Sequence, residues 1–157
     1  MNSKKLKLKI VTPERLVLEE MVDQVTLPTT EGEITVLPDH IPLIAGLKSG
    51  DVVALANGEH IPMAVVGGFV EVKNLVVRLP SGNQTTTTEV AVLADFAEHV
   101  TEISDEKIAK AKASAEELKK KFENKEIVDF EHFEAELERS LTRVKIADKW
   151  RTRKYRK

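Results

Sequence analysis

The chain has 157 residues, 24 basic and 26 acidic side chains, and no cysteine. That length holds one sizeable core, or one domain with a small appendage, and the missing cysteine excludes disulfides, thiolate metal sites and cysteine nucleophiles. No apolar run approaches the roughly 18 residues of a membrane-spanning helix, and the basic start Met1–Glu14 has no apolar signal-peptide stretch, so a soluble protein facing the cytoplasm is expected.

From the start, Leu6, Leu8 and Ile10 alternate with Lys5, Lys7 and Lys9, the period of a half-buried strand. Short apolar segments follow: Arg15–Leu18, Val22–Leu27, Glu33–Leu37, Ile41–Ala45, Val52–Leu55, Met63–Val66, Phe69–Val72, Leu75–Leu79 and Val90–Leu93. All six prolines and all seven glycines lie before residue 83. Many short strands with frequent turns predict an antiparallel sandwich or barrel. Gly32 is expected at a positive φ in the turn after Thr29. Asn57-Gly58 reads as a hairpin turn, Val66-Gly67-Gly68-Phe69 as a tight turn or bulge, and Pro80–Asn83 as an exposed hairpin tip. The four threonines Thr85–Thr88 suit a strand that continues from that tip.

After residue 101 the period changes. Ile108, Ala111, Ala115, Leu118 and Phe122 recur at helical steps, with Ser104 as N-cap, an Ile103–Ile108 staple and Asn124 as the stop. Asp129 caps a second helix, with Val128 and Phe133 as its staple. Its apolar face is Phe130, Phe133, Leu137, Leu141, Val144 and Ala147. A short connection predicts an antiparallel hairpin. Such a hairpin has little core of its own, so it must dock on another surface or switch between surfaces.

Charge divides the chain in the same way. Residues 1–100 carry 8 basic and 13 acidic side chains, residues 101–138 carry 7 and 12, and residues 139–157 carry 9 and one. The tail Lys149–Lys157 interleaves cations with Trp150 and Tyr155, which suits single-stranded nucleic acid or an anionic surface. It equally suits a helix C-terminus, whose dipole favours cations, or an acidic protein partner. Glu116, Glu117 and Lys119–Lys121 read as a solvated helix face.

No catalytic constellation is visible. There is no phosphate-cradling glycine loop and no histidine pair at zinc spacing. His40, in Pro38-Asp39-His40-Ile41-Pro42, is either a base or ligand or a turn histidine pinned by neighbours or an interface. With no second ligand in the sequence the turn reading is preferred, and the same holds for His60. No catalytic residue, metal or cofactor is expected.

Four stretches resemble the epsilon subunit of bacterial F-type rotary ATP synthases, called delta in mitochondria. They are Val11–Arg15, Thr29–Leu43 with its Glu-Gly-Glu and Pro-Asp-His-Ile-Pro-Leu, Gly67–Val72, and Val92–Asp95. The resemblance implies an N-terminal antiparallel β-sandwich of about ten strands (residues 1–101) and a C-terminal helical hairpin with a basic tail (residues 102–157). It implies a non-catalytic rotor subunit of the central stalk, peripheral to the inner membrane on its cytoplasmic face. That subunit binds the gamma subunit and the c-ring, couples ion flow to ATP synthesis and restrains ATP hydrolysis.

By the same resemblance Glu31, Gly32 and Glu33 would face the c-ring, and His40, Ile41 and Pro42 the gamma subunit. Arg139, Arg143, Lys145 and Lys149 would meet an acidic segment of the beta subunit in the catalytic alpha/beta head. An ATP site would use Asp105, Arg139 and Arg143. Ile108 stands where the family motif has an arginine, so ATP binding is expected to be weak or absent. The connection Arg78–Glu89 is longer than the family's usual one, and Trp150–Lys157 extends the usual end. The rival reading is a nucleic-acid-binding β-domain with a basic tail. The acidic body and the scarcity of strand aromatics count against it, so no nucleic-acid partner is expected.

Overall fold

The structure is a computed structural model that describes residues 4–126 and 129–154. The expected staple residue Val128 and the tail residues Tyr155, Arg156 and Lys157 lie outside the described residues. The chain forms two compact units, Met1–Ala97 and Glu98–Lys157.

Ten strands form a β-sandwich; they lie in the first unit except that the last strand runs two residues into the second. In chain order the strands are β1 (Leu6–Val11), β2 (Leu16–Val22), β3 (Gln24–Thr29), β4 (Gly32–Val36), β5 (Leu43–Gly46), β6 (Gly50–Ala56), β7 (Glu59–Val66), β8 (Phe69–Arg78), β9 (Gln84–Leu93) and β10 (Phe96–His99). They make two five-stranded sheets, β2-β1-β9-β8-β5 and β10-β7-β6-β3-β4. The alternation in β1 places Leu6, Leu8 and Ile10 in a core with Val25, Leu27, Val52, Met63, Val70, Val72, Val90 and Val92.

The sheets depart from the antiparallel expectation where β1 runs parallel to β9, from Lys7 opposite Glu89 to Val11 opposite Leu93. Parallel neighbours need a long connection, and here seven strands lie between the two. The apolar run Val22–Leu27 is not one strand either. The chain passes from one sheet to the other at Asp23, whose N–H donates to Leu55 O (2.7 Å) and whose Oδ2 accepts from Asn57 N (2.8 Å). Both sides of this corner bury valine, Val22 and Val25, so hydropathy runs straight through it.

Phe69–Val72 and Leu75–Leu79 belong to a single strand, β8, paired with β9 from Phe69 opposite Leu93 to Arg78 opposite Gln84. The polar Lys73-Asn74 step does not break it. Lys73 pairs with Glu89 at 3.3 Å, and Asn74 accepts from the buried Thr88 hydroxyl at 2.9 Å. Neither flanking strand follows the pair outward: β5 stops at Val72 and β1 begins at Glu89. Asn74–Arg78 and Gln84–Thr88 therefore form a two-stranded ribbon that neither β5 nor β1 flanks. Its exposed apolar side chains include Leu75, Val76 and Val77.

The predicted turns have their expected backbones. Asn57 and Gly58 both take positive φ, 53° and 84°, which matches a two-residue hairpin turn. Gly67 (58°) and Gly68 (95°) turn the chain from β7 to β8. A Cβ at Gly68 would sit 1.9 Å from Leu93 O, so the glycine is required by close backbone approach.

The second unit holds a short 3-10 turn, Val100–Glu102, then α1 (Asp105–Glu123) and α2 (Phe130–Lys154). Ser104 caps α1 by accepting from Lys107 N. The helix ends in a Schellman arrangement: Glu126 N donates to Lys121 O and Lys125 N to Phe122 O, with Lys125 at φ 55°. Asp129 caps α2 by accepting from His132 N at 3.1 Å. The helices are antiparallel. Phe122 near the end of α1 stacks on Phe133 (centroids 5.7 Å apart), and Asp105 at the start of α1 pairs with Arg151 near the end of α2 (2.5 Å).

The buried residues of α1 are Ile108, Ala111 and Ala115. On α2 the expected apolar face is corrected at two places. Phe130, in the first turn, is 58% exposed with its ring tilted against Phe122 and Phe133, and Leu141 is 43% exposed. Ser140 takes the buried position beside Leu141, because the steps Phe133, Leu137, Ser140, Val144, Ala147 keep one face. Ile146, outside the expected face, is almost fully buried.

Candidate interaction surfaces

The β3–β4 turn presents Glu31 and Glu33 to solvent, with Gly32 between them at φ 127°. Buried Thr29 shapes it: its hydroxyl donates to Gly32 O (2.5 Å) and accepts from Glu31 N (3.3 Å). Outside the hairpin, Thr30 N donates to Gly46 O and Lys48 N to Pro28 O, both at 2.9 Å. Two exposed carboxylates thus stand on a turn fixed by backbone bonds.

His40, Ile41 and Pro42 lie between β4 and β5. The His40 ring bonds Ile41 O through Nδ1 (2.7 Å), and Asp39 takes φ 67°. This loop is tied to the base of the β8–β9 ribbon by a relay. Asp39 N donates to Thr88 Oγ1, Thr88 Oγ1 donates to Asn74 Oδ1, and Asn74 Nδ2 donates to His40 O. Lys4 closes it by pairing with Asp39. The loop is therefore preformed, and it holds Ile41 73% exposed. His40 is a turn histidine, and the described residues contain no group of three or more His, Cys, Asp or Glu placed to hold a metal ion.

Two apolar features of this unit escape the sequence reading. Ile44 is 72% exposed on β5. Leu16, Val11, Leu93 and Phe69 form a row across four strands on the outer face of one sheet, and all but Val11 are exposed. Exposed apolar groups in a row mark a protein-contact surface more than scattered ones do. Beside the row the face is charged in pairs. Glu19 bonds Lys7 (2.5 Å), which holds the Glu19 carboxyl below the usual range, and Lys73 is raised chiefly by its hydrogen bond to Glu89.

In the second unit the four expected cations do not share one face. Arg139 and Arg143 are one helical turn apart on one stripe of α2, and Lys145 and Lys149 make another stripe about 120° around the helix. Arg139, Lys145 and Lys149 are exposed. Arg143 is committed internally: its Nε donates to Glu98 Oε2 at 2.8 Å. Of the ATP-site candidates, Asp105 pairs with Arg151, Arg143 pairs with Glu98, and Ile108 is buried. Glu98 itself was invisible in the sequence. The one available signal was a lone acid in an otherwise apolar strand segment, Phe96-Ala97-Glu98.

The family described as ATP synthase, Delta/Epsilon chain, beta-sandwich domain matches residues 5–79. The ATP synthase epsilon chain of Syntrophobacter fumaroxidans is 38% identical over 148 residues, 94% of this chain and 98% of its own. That of Nitratidesulfovibrio vulgaris is 39% identical over 143 residues, 91% and 96% of the two chains. Among solved structures, a chain of the Euglena gracilis mitochondrial ATP synthase (OSCP/F1/c-ring) shares the fold, with a TM-score of 0.58, 23% identity, and coverage of 94% of this chain and 80% of that one. A sandwich followed by a helical hairpin, matched over nearly its full length by epsilon chains at this identity, places the chain in the ATP synthase epsilon-chain family.

Proposed function

We propose that this chain is a non-catalytic rotor subunit of the ATP synthase central stalk. Its sandwich unit binds the gamma subunit through the His40-Ile41-Pro42 loop and meets the c-ring through Glu31, Gly32 and Glu33. In that role it transmits ion-driven rotation toward ATP synthesis. It is peripheral to the inner membrane on the cytoplasmic face and held there through the ring; no helix among the described residues is long and apolar enough to cross a membrane. The helical unit restrains ATP hydrolysis by presenting Arg139, Arg143, Lys145 and Lys149 to an acidic surface of the catalytic head. It needs no cofactor for this.

The observation that carries the reading is the exposed Ile41 on a loop braced by Thr88 and Asn74. An isoleucine held out to water on a rigid loop is a poor choice for stability and a good one for a protein contact. Ile41→Asp leaves the core untouched and is expected to weaken retention of gamma in a pull-down by about tenfold or more with an unchanged circular dichroism spectrum. Retention equal to that of the unaltered chain would refute the gamma assignment.

A further inference from the structure

Glu98 is buried, at 5% exposure, yet both of its carboxylate oxygens are engaged by cations from different helices. Lys107, in the first turn of α1, reaches Oε1 at 2.5 Å; Arg143, near the middle of α2, reaches Oε2 at 2.8 Å. All three lie in the second unit. The carboxylate stands at that unit's first residue and joins the segment before α1, α1 itself and α2. Large apolar contact between the helices is concentrated where Phe122 stacks on Phe133 and at buried Ile108. Between them the buried residues are small, Ala111 and Ala115 on α1 and Ser140 on α2; these bury little apolar area, so the ion clamp adds to what holds that stretch together.

We propose that Glu98 is the latch of the helical unit, the group that sets how readily α2 parts from α1 and how available Arg143 is to an external carboxylate. The second half of this rests on the inhibitory contact given under Proposed function. The choice of chemistry is informative. An apolar side chain of similar volume would hold a closed hairpin as well or better, since burying a carboxylate and two cations costs desolvation. A clamp of charges has a different property: once the helices part, each group recovers its hydration, so opening costs less than exposing an apolar seam. The cations are already partly in water, with side-chain exposures of 48% for Lys107 and 32% for Arg143. The buried member is the carboxylate, and it contacts a cation from each helix. An acidic partner that offers Arg143 a second carboxylate competes directly with Glu98.

The test uses the full chain. Amide hydrogen exchange is followed across Ser140–Ala147 and, as an internal reference, across β6 and β7. Glu98→Gln keeps the side-chain volume and removes the charge. It is expected to quicken exchange in Ser140–Ala147 by about tenfold and leave β6 and β7 unchanged, with Lys107→Gln giving a smaller change in the same region. Glu98→Gln and Arg143→Gln combined should give less than the sum of the two, because both remove the contact between Glu98 and Arg143. Unchanged exchange in Glu98→Gln, or effects that simply add, would overturn the latch. ATPase assays of the reconstituted catalytic complex separate this from the reading it rests on. Glu98→Gln should inhibit at lower concentration than the unaltered chain. If neither inhibits while exchange still quickens, the latch stands and the inhibitory contact falls.

Discussion

Gly68→Ala is the substitution with the clearest structural cost. Gly68 sits at φ +95°, where an L side chain is strained by about 1–3 kcal/mol. The added Cβ would also lie 1.9 Å from Leu93 O and 2.8 Å from Ala94 Cα. These are backbone atoms, so no rotamer change relieves the contact, and the main chain must retreat by about 1.5 Å to restore an ordinary separation. Two bonds at this corner then suffer, Leu47 N to Gly68 O (2.9 Å) and Asp95 N to Val66 O (3.1 Å), each worth a net ~0.5–1.5 kcal/mol. Together the loss is about 2–6 kcal/mol, a large part of the ~5–15 kcal/mol that holds a domain folded. Gly58→Ala is the control. It has φ +84° but nothing within 4 Å of the new Cβ, so only the backbone term remains, about 1–2 kcal/mol. Urea titration followed by far-ultraviolet circular dichroism measures both. Trp150, the sole tryptophan, lies on α2 and its fluorescence reports the helical unit separately. If Gly68→Ala is no more than about 1 kcal/mol worse than Gly58→Ala, the close-approach reasoning is wrong.

Lys125→Gly, at the left-handed residue that ends α1, should stabilise the helical unit by about 0.5–1 kcal/mol; a thermal midpoint of the Trp150 signal that does not rise would count against the strain assigned there. Glu19 is held below the ordinary carboxylate range first by its hydrogen bond to Lys7 and then by that ammonium's charge. Its contribution to stability is present above the unfolded-state value and lost as pH falls through the lower folded one. Carbon-detected NMR titration should show Glu19 moving up in Lys7→Met, and an unmoved titration would refute the pairing.

The sandwich was legible wherever residues alternate cleanly or a turn has its own chemistry. Leu6, Leu8 and Ile10 alternate against lysines, and Asn57-Gly58 announces a hairpin. It was not legible at Asp23, because a corner between two sheets keeps valine buried on both sides. The parallel placement of β1 beside β9 leaves no local mark at all, since it is a property of chain order. In α2 the apolar pattern named Leu141, yet a serine holds the buried position; a seam built for close approach tolerates Ser140 where a leucine would hold the helices apart.

The interaction surfaces split the same way. His40 and the Glu31–Glu33 turn stood out through their prolines and glycine. Ile44 and the row from Leu16 to Phe69 could be seen only once four strands were set side by side. Glu98 was silent because its meaning lies in two partners, one 9 and the other 45 residues further along the chain.

The parallel pair also dictates an order of assembly. During synthesis the hairpins β3–β4 and β6–β7 are complete early and their sheet can grow from neighbours. β1, the first strand made, pairs at once only with β2, and its other edge stays open until Glu89–Leu93 arrives to lie against it. Closing that gap late is slow, as pairings between distant segments are, and the nascent chain meanwhile carries an uncovered row of leucine and isoleucine. The lysines alternating with that row, at 5, 7 and 9, keep the waiting strand charged on one side, a safeguard against premature pairing with another chain.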